Sequence, residues 1–404
     1  MKTLVYIVKA VVMFLLMFLV LTGLDYWSAS IDKNEIRENT QESLRVLSQE
    51  GDYCNRFSPI FFLRQDNFTD AIMLGSLLAE RNDMTRFENV CYSPIYKVED
   101  SVPRTMGNYQ ASMDSDLHSD RIDCYPRYWH GYQLTLRPLI KCMSLRGIRV
   151  LNYVLLFGMV ITVFLLCGRV LGRGYGLSFL LSFLIVGFPV VPLSLQFVTC
   201  FLICLLTMTV ALLLPRRGVR DEGYTLWFMI AGGLTSFFDF LTTPLLTLGM
   251  PLILMLLRRD RFPDYRYVIV TSLMWAVGYA GIWSSKWILA GVFTPFDIVS
   301  SVTEAISFRS SSALGLSFGL YSVAFSVFML LGLACMIGLI YVSLRRYGVR
   351  AKKCLSLMLV GFYPFLWVLA MQNHSFIHCW FVWRIFAISV FALGAYYIKV
   401  MNIA

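Results

Sequence analysis

The chain contains a series of apolar runs, most of them long enough to cross a lipid bilayer as a helix. A spanning helix needs about 20 predominantly apolar residues. Of the 404 residues, 57% are hydrophobic and 15% are charged, whereas soluble domains have about 25% charged residues. The sequence therefore predicts an all-α fold, a polytopic transmembrane helical bundle. Ten spans are predicted, at about 4–24, 150–167, 175–193, 196–214, 225–238, 241–257, 267–289, 319–343, 355–371 and 380–400.

Lysine and arginine collect in alternate short loops, and this pattern predicts the orientation of the chain. Arg169 and Arg173 follow the second predicted span, and Arg345 and Arg346 follow the eighth. Because cytoplasmic loops carry the excess of basic residues, both termini are expected in the cytoplasm. The net charge of +10 then comes from these loops, and no nucleic acid partner is expected. The run at 4–24 is longer than the roughly 7–15-residue core of a signal peptide, so we expect a retained helix.

The hydrophilic stretch 25–149 divides the chain into three parts: a first transmembrane helix at 1–24, a large extracytoplasmic loop at 25–149 and a bundle of about nine helices at 150–404. Four cysteines lie in the loop, Cys54, Cys91, Cys124 and Cys142. They allow up to two disulfides with three connectivities, and free thiols are the alternative.

The loop itself is expected to be mainly helical. Residues 31–49 are predicted to form a polar helix, and 67–80 carry apolar side chains at helical spacing. Residues 125–145 combine aromatic and basic side chains, a composition typical of an amphipathic helix in the membrane interface. The turn-rich stretch 82–123 is predicted to be a loop.

The most informative polar stretch is 372–384, which lies between two apolar runs and reads Q-N-H-S-F-I-H-C-W-F-V-W-R. Ionisable residues at membrane depth are costly and usually face a cavity or a partner. His374 and His378 are four residues apart and share one face of a helix. Arg384 falls inside the last predicted span, where a carboxylate or phosphate partner is expected. The ordinary alternative is that the histidines satisfy an interfacial loop.

Several ionisable residues are predicted to face the same, extracytoplasmic side of the membrane, where they could line one pocket. Carboxylates can act as general bases toward a hydroxyl group, and arginine or histidine can offset charge on a phosphate leaving group. This chemistry suits group transfer from an anionic lipid carrier. Solvated helix ends or caps are the alternative for the acids. The catalytic candidates are Asp25, Asp70 and Asp239, and the substrate-binding candidates are His130, Arg137, Asn373, His374, His378 and Arg384.

Metal and nucleotide motifs are weak in this sequence. His374 and His378 have the spacing of a two-histidine zinc helix, but Ser375 replaces the glutamate of H-E-x-x-H and no third ligand is evident. No cofactor is therefore assigned. A divalent cation held by Asp25 or Asp70 stays open, because hard cations bind carboxylates with few sequence marks.

The architecture resembles that of the GT-C glycosyltransferases. The shared features are a cytoplasmic N-terminus, an acid soon after the first helix, a long first outer loop with amphipathic segments and many spans. The resemblance implies transfer of a sugar from a polyprenyl-phosphate donor to an envelope glycan or glycolipid on the outer face. It implies a catalytic acid in the first loop, at Asp25 by location, with Asp52, Asp66 and Asp70 as rivals. The paired D-E or E-x-D motif of many members is absent.

Two other classes of function are compatible with the sequence. A transporter or flippase of lipid-linked glycans would show internal repeats and polar residues along a whole path through the membrane. A non-enzymatic assembly protein would need Asp239 and His374 only for stability. The sequence shows no repeat, and the inner halves of the predicted helices carry few ionisable groups.

Overall fold

The computed structural model describes residues 2–55, 63–99, 101–114, 122–215, 221–259, 264–312 and 320–402. The protein is predominantly helical, with one short β-ribbon. In chain order the elements are α1 (Lys2–Ser28), α2 (Lys33–Glu50), α3 (Asn67–Gly75), α4 (Arg86–Tyr92), β1 (Pro94–Tyr96), α5 (Met106–Asp114), β2 (Ile122–Cys124), α6 (Tyr132–Cys142), α7 (Leu145–Val170), α8 (Arg173–Ile185), α9 (Leu195–Leu213), α10 (Asp221–Phe238), α11 (Leu246–Arg258), α12 (Tyr265–Phe293), α13 (Ile298–Ser310), α14 (Leu320–Tyr347), α15 (Val349–Lys353), α16 (Leu355–Gly361), α17 (Tyr363–Ala370), α18 (Gln372–Ile377), α19 (Cys379–Val382) and α20 (Ala387–Asn402). The described residues also include two 3-10 turns, Phe188–Leu193 and Trp383–Phe386.

Six helices of the described chain are long and apolar enough to cross a membrane, and the protein is therefore a multi-pass membrane protein. They are Thr3–Ser28, Leu145–Val170, Leu195–Leu213, Tyr265–Phe293, Ser322–Tyr347 and Cys379–Asn402. Three shorter apolar helices, Arg173–Ile185, Leu246–Arg258 and Leu355–Ala370, fall where further spans were predicted. The predicted break near Asp239 is present, because α10 ends at Phe238 and α11 begins at Leu246.

Five helices of the bundle, α11 among them, form a closed ring of contacts. Contacts run from α7 to α9, from α9 to α11, from α11 to α20, from α20 to α8 and from α8 back to α7. Every residue of α11 from Leu246 to Leu257 is buried, as expected for a helix that is apolar all round. The last predicted span is interrupted by the 3-10 turn at Trp383–Phe386 before α20 begins.

The segment 25–149 is a small folded unit that packs on one end of the bundle. Helices α2, α3 and α6 bury Leu47, Leu74, Leu136 and other apolar side chains in a core that also includes the first residues of α7 and α9. The polar helix predicted at 31–49 is confirmed as α2, whereas α3 ends at Gly75 and is shorter than predicted. The predicted boundary after residue 149 lies inside α7, which begins at Leu145.

The described parts of 82–123 are not the loop that was predicted. Helix α4 begins with a capping box in which Thr85 and Glu88 satisfy each other's backbone N–H groups. Strands β1 and β2 pair antiparallel, with Pro94 opposite Cys124. The four cysteines of the segment are free thiols in this structure.

The aromatic stretch before α6 is also not a lipid-facing interfacial helix. Helix α6 begins only at Tyr132, and Tyr128, Trp129 and His130 are buried inside the protein. The Nε1–H of Trp129 donates a hydrogen bond to the carbonyl of Ile282 in α12 (2.6 Å). The stretch therefore ties the 25–149 segment to the bundle.

Candidate active site

A cavity of about 670 Å³ lies between the 25–149 segment and the end of the bundle on which it packs. This volume is in the range of ligand pockets. Aromatic rings, among them Tyr53, Tyr96, Tyr125, Tyr128 and Trp380, form much of its wall. The lining therefore combines flat apolar faces with charge, which suits a carbohydrate that carries an anionic group. Its charged and imidazole side chains are Asp66, Lys97, Arg104, Asp123, Arg127, Arg309, His374 and His378.

Asp66 is the buried carboxylate of this cavity. It caps α3, and its Oδ1 accepts a hydrogen bond from the backbone N–H of Thr69 (3.0 Å). Gln196 and Trp380 line the same wall. Burial raises the pKa of Asp66, and the N–H of Thr69 opposes this shift. A general base works best with a pKa near the operating pH, and burial shifts the pKa of Asp66 in that direction.

His374 and His378 both line the cavity, with ring centroids 4.9 Å apart. The Nε2 of His374 lies 3.0 Å from the carbonyl of Leu241, so this nitrogen must carry the proton and Nδ1 is left as an acceptor. Burial lowers the pKa of His374 to about 3 and that of His378 to about 4. At neutral pH the two rings are uncharged and offer hydrogen bonds rather than positive charge.

Positive charge near the histidines comes from Arg309, and Arg127 lines the same cavity. The Nη2–H of Arg309 donates to the hydroxyl of Tyr128 (2.7 Å). Burial raises the pKa of Tyr128 well above its ordinary value, so its hydroxyl stays protonated and accepts this bond. The Tyr128 ring stacks on Trp283 of α12, with centroids 5.9 Å apart.

A second, apolar groove of about 200 Å³ adjoins the cavity. Arg127 and Arg309 line both spaces. The rest of the groove is almost entirely apolar and is formed by α12, α13 and the end of α17. These residues are Trp283, Trp287, Val302, Ala305, Ile306, Ser310 and Met371.

Asp70, which was predicted to be catalytic, caps the N-terminus of α9 in the structure. Its two oxygens accept hydrogen bonds from the backbone N–H groups of Leu195 (2.9 Å) and Gln196 (3.1 Å) at the start of α9, and the Ser194 hydroxyl adds a third (3.2 Å). The carboxylate is fully buried and lies outside the cavity lining. Its acceptor capacity is therefore directed at the protein rather than at a substrate or a cation.

Asp239 also hydrogen-bonds within a local turn and does not line the cavity. Its carboxylate accepts hydrogen bonds from the backbone N–H of Thr242 (2.9 Å) and from the Thr242 hydroxyl. This holds the break between α10 and α11, in which Leu241 has a positive φ of 64°. The same turn presents the Leu241 carbonyl to His374, so Asp239 acts on the site indirectly.

Asp25 lies in a different, much smaller cavity of about 30 Å³. It was expected just outside the first helix, but α1 continues to Ser28 and Asp25 is buried in the last turn. His130 and Arg137 line this small cavity with it. Lys286 and Arg137 interact electrostatically with Asp25. The predicted set of acids is thus divided among separate sites.

His130 and Arg137 belong to the wall around Asp25. His130 lies 3.2 Å from both the Tyr125 carbonyl and the Tyr132 hydroxyl, and burial lowers its pKa to about 3. The Nη1–H of Arg137 donates to Ser28 in α1 (3.4 Å). Both side chains join α6 and its preceding turn to their neighbours.

Two further predicted binding residues have other contacts. Arg384 is fully buried, donates to the Trp380 carbonyl (3.2 Å) and lies over the Phe197 ring (4.4 Å to the centroid). The Nδ2–H of Asn373 donates to the carbonyl of Phe308 in α13 (2.8 Å). Neither lies in the cavity lining, and Asn373 instead connects α18 to α13.

Within the described ranges, no three His, Cys, Asp or Glu side chains form a group that could hold a metal ion. In the sequence analysis Asp66 was only a rival to Asp25 for the catalytic acid, and Arg127 and Arg309 were not among the substrate-binding candidates. Arg309 had one usable signal, because it is a basic residue in a predicted outer loop where such residues are rare.

Comparison of the chain with protein-family models, with curated proteins and with solved structures found no match.

Proposed function

We propose that the protein is a membrane glycosyltransferase that moves a sugar from a polyprenyl-phosphate donor to an envelope glycan or glycolipid acceptor. In this proposal both termini are cytoplasmic, and the cavity of about 670 Å³ opens on the extracytoplasmic side. The proposal requires one space for a sugar, one for a hydrocarbon tail and positive charge between them.

The observation that carries the proposal is the position of Arg127 and Arg309. Both side chains lie where the polar cavity adjoins the apolar groove. An anionic lipid bound across this junction would place its tail in the groove, its phosphate between the arginines and its sugar among the aromatic rings. Arginine favours phosphate because its planar donors match phosphate oxygens two at a time.

In the proposed reaction Asp66 accepts the proton of an acceptor hydroxyl. The acceptor oxygen then attacks the anomeric carbon of the donor sugar with the electron pair of its former O–H bond. The bond from that carbon to the phosphate oxygen breaks. The polyprenyl phosphate leaves with that electron pair, and Arg127 and Arg309 offset its charge. His378 and the Nδ1 of His374 are available to hydrogen-bond the sugar hydroxyls.

The test compares Asp66→Asn with Asp25→Asn in purified protein in nanodiscs, supplied with a panel of polyprenyl-phosphate sugars and acceptor glycans. Asparagine caps helices as well as aspartate does, so Asp66→Asn should stay folded. We expect Asp66→Asn to reduce transfer about 10²–10⁴-fold, the usual contribution of a general base. Asp83→Asn, at an exposed side chain, is the matched control.

If Asp66→Asn transfers sugar as fast as the wild type, Asp66 is not the general base. Loss of transfer only in Asp25→Asn, at unchanged thermal stability, would move the reaction to the smaller cavity. If the wild-type protein moves the lipid-linked sugar across the bilayer without transferring it, a flippase replaces the transferase.

A further inference from the structure

Helix α13 has the properties of a cover over the apolar groove. It begins at Ile298, shortly after the spanning helix α12 ends at Phe293, so this short link holds it near the membrane surface. None of its residues is buried, although Val299, Ile306 and Phe308 are large apolar side chains. Exposed apolar side chains of this kind are stabilised when they lie in the membrane interface.

The opposite wall of the groove is held to the 25–149 segment by hydrogen bonds. Trp283 and Trp287 project from α12, and both indole N–H groups donate to the carbonyl of Arg127. Val302, Ala305 and Ile306 of α13 close the groove from the other side. Movement of α13 away from α12 would therefore open the groove toward the bilayer without disturbing the aromatic wall.

Among the described residues, two hydrogen bonds join α13 to other elements, and both are at its C-terminal turn. Arg309 donates to the Tyr128 hydroxyl, and Asn373 donates to the Phe308 carbonyl. Arg309 is also one of the two arginines at the junction of groove and cavity. An anionic headgroup at this junction would compete with Tyr128 for the same guanidinium.

We infer that α13 is a lid over a lateral entrance, through which a bilayer lipid with an anionic phosphate headgroup reaches the cavity. The bond from Arg309 to Tyr128 latches the empty lid shut. Once the lipid has entered, its phosphate takes over the Arg309 guanidinium, and α13 closes over the hydrocarbon tail. The lipid class is that of the proposed donor, so the inference rests on the proposed function in this respect.

The experiment locks the lid and follows lipid entry. Trp287→Cys and Ile306→Cys, on opposite walls of the groove, are joined with a short bis-methanethiosulfonate reagent. The exposed thiols of Cys142 and Cys335 are first replaced by serine. The probe is a diazirine-bearing polyprenyl phosphate in phosphatidylcholine nanodiscs, and the readout is covalent labelling of the peptides that contain Arg127 or Arg309.

We expect the cross-link to lower labelling at least tenfold relative to the same double-cysteine protein without the reagent, and reductant to restore it. Each single-cysteine variant should label equally with and without the reagent. Tyr128→Phe, which removes only the hydroxyl of the latch, should label faster than the wild type. Equal labelling of locked and unlocked protein would overturn the lid, and so would a lack of labelling in the unlocked protein. Lid-dependent labelling without any sugar transfer would instead leave the lid standing and refute the proposed function.

Discussion

Asp70 lies across the N-terminus of α9, where its Oδ2 accepts a hydrogen bond from the backbone N–H of Leu195 at 2.9 Å. The two residues are 125 positions apart in the chain. The first backbone N–H groups of a helix have no partner inside the helix, and a carboxylate there also interacts favourably with the helix dipole. A side chain of the 25–149 segment thus caps a candidate membrane span.

The burial of Asp70 predicts a pH dependence of stability. Burial is the largest cause that raises the pKa of Asp70 to about 7, and the N–H groups of Leu195 and Gln196 oppose it. In the unfolded chain the group titrates near 3.8, so the folded protein binds the proton more tightly. The resulting stabilisation is complete below pH 3.8 and is lost as the pH rises through about 7.

We therefore expect the wild-type protein to have a higher Tm at pH 5 than at pH 8, and Asp70→Asn to reduce this difference because asparagine does not titrate. Thermal unfolding of the two proteins in the same detergent and buffers measures it. Parallel pH curves for wild type and Asp70→Asn would show that Asp70 does not titrate in this window.

The features predictable from the sequence were those that depend on neighbouring residues. Run length and hydropathy located the long apolar helices, and the polar pattern of 31–49 predicted α2. The short β-ribbon escaped prediction because each strand has only three residues and its partner lies across a long connection.

The roles of the acids could not be predicted, because their partners come from distant segments. The sequence around Asp70 contains no sign of the N–H groups of Leu195 and Gln196. Asp66 is four residues earlier in the chain, yet it lines the cavity because α9 and α19 pack beside it. Only the packing of these elements distinguishes the two carboxylates.

The second prediction concerns Asp25 and Lys286. Lys286 is fully buried, donates to the Val90 carbonyl and lies over the Trp129 ring (5.1 Å to the centroid). Its charge interacts electrostatically with that of Asp25, and removing one of two interacting buried charges leaves the other less compensated. Asp25→Asn should therefore lower the free energy of unfolding substantially, and the double variant with Lys286→Met should recover part of the loss.

The measurement is a double-variant cycle by chemical denaturation in detergent. A structural pair gives a large coupling energy between the two positions. Additive losses in the cycle would contradict the electrostatic interaction, and a stable Asp25→Asn protein without transfer activity would give Asp25 a catalytic role.

The third prediction concerns Arg127, which lines both the cavity and the groove. A hydrogen bond to a charged group contributes about 1.5–3 kcal/mol. Arg127→Gln should thus weaken binding of polyprenyl phosphate about 10–100-fold, measured by titration of the lipid into nanodiscs. Arg346→Gln, at the exposed end of α14, is the control for loss of a positive charge. Equal affinities of the two variants would place the phosphate elsewhere.

The last prediction concerns the close approach of α10 and α12. A Cβ atom on Gly278 would lie 1.9 Å from the Met229 carbonyl oxygen, and one on Gly232 would lie 2.1 Å from that of Trp275. Small residues let helix backbones approach closely in membranes, and α12 carries Trp283 and Trp287 of the groove. Because these neighbours are backbone atoms, Gly278→Ala must push the two helices apart.

Overpacking of this kind costs about 1–3 kcal/mol, so Gly278→Ala should lower the Tm and, by displacing the aromatic wall, weaken lipid binding as well. Gly158 on α7 has open space around its Cβ position. Gly158→Ala should keep or slightly raise the Tm, since alanine favours a helix over glycine by about 1 kcal/mol. The measurement is the Tm of the two variants in parallel thermal unfolding. If Gly278→Ala is as stable as Gly158→Ala, α10 and α12 are not packed through these glycines.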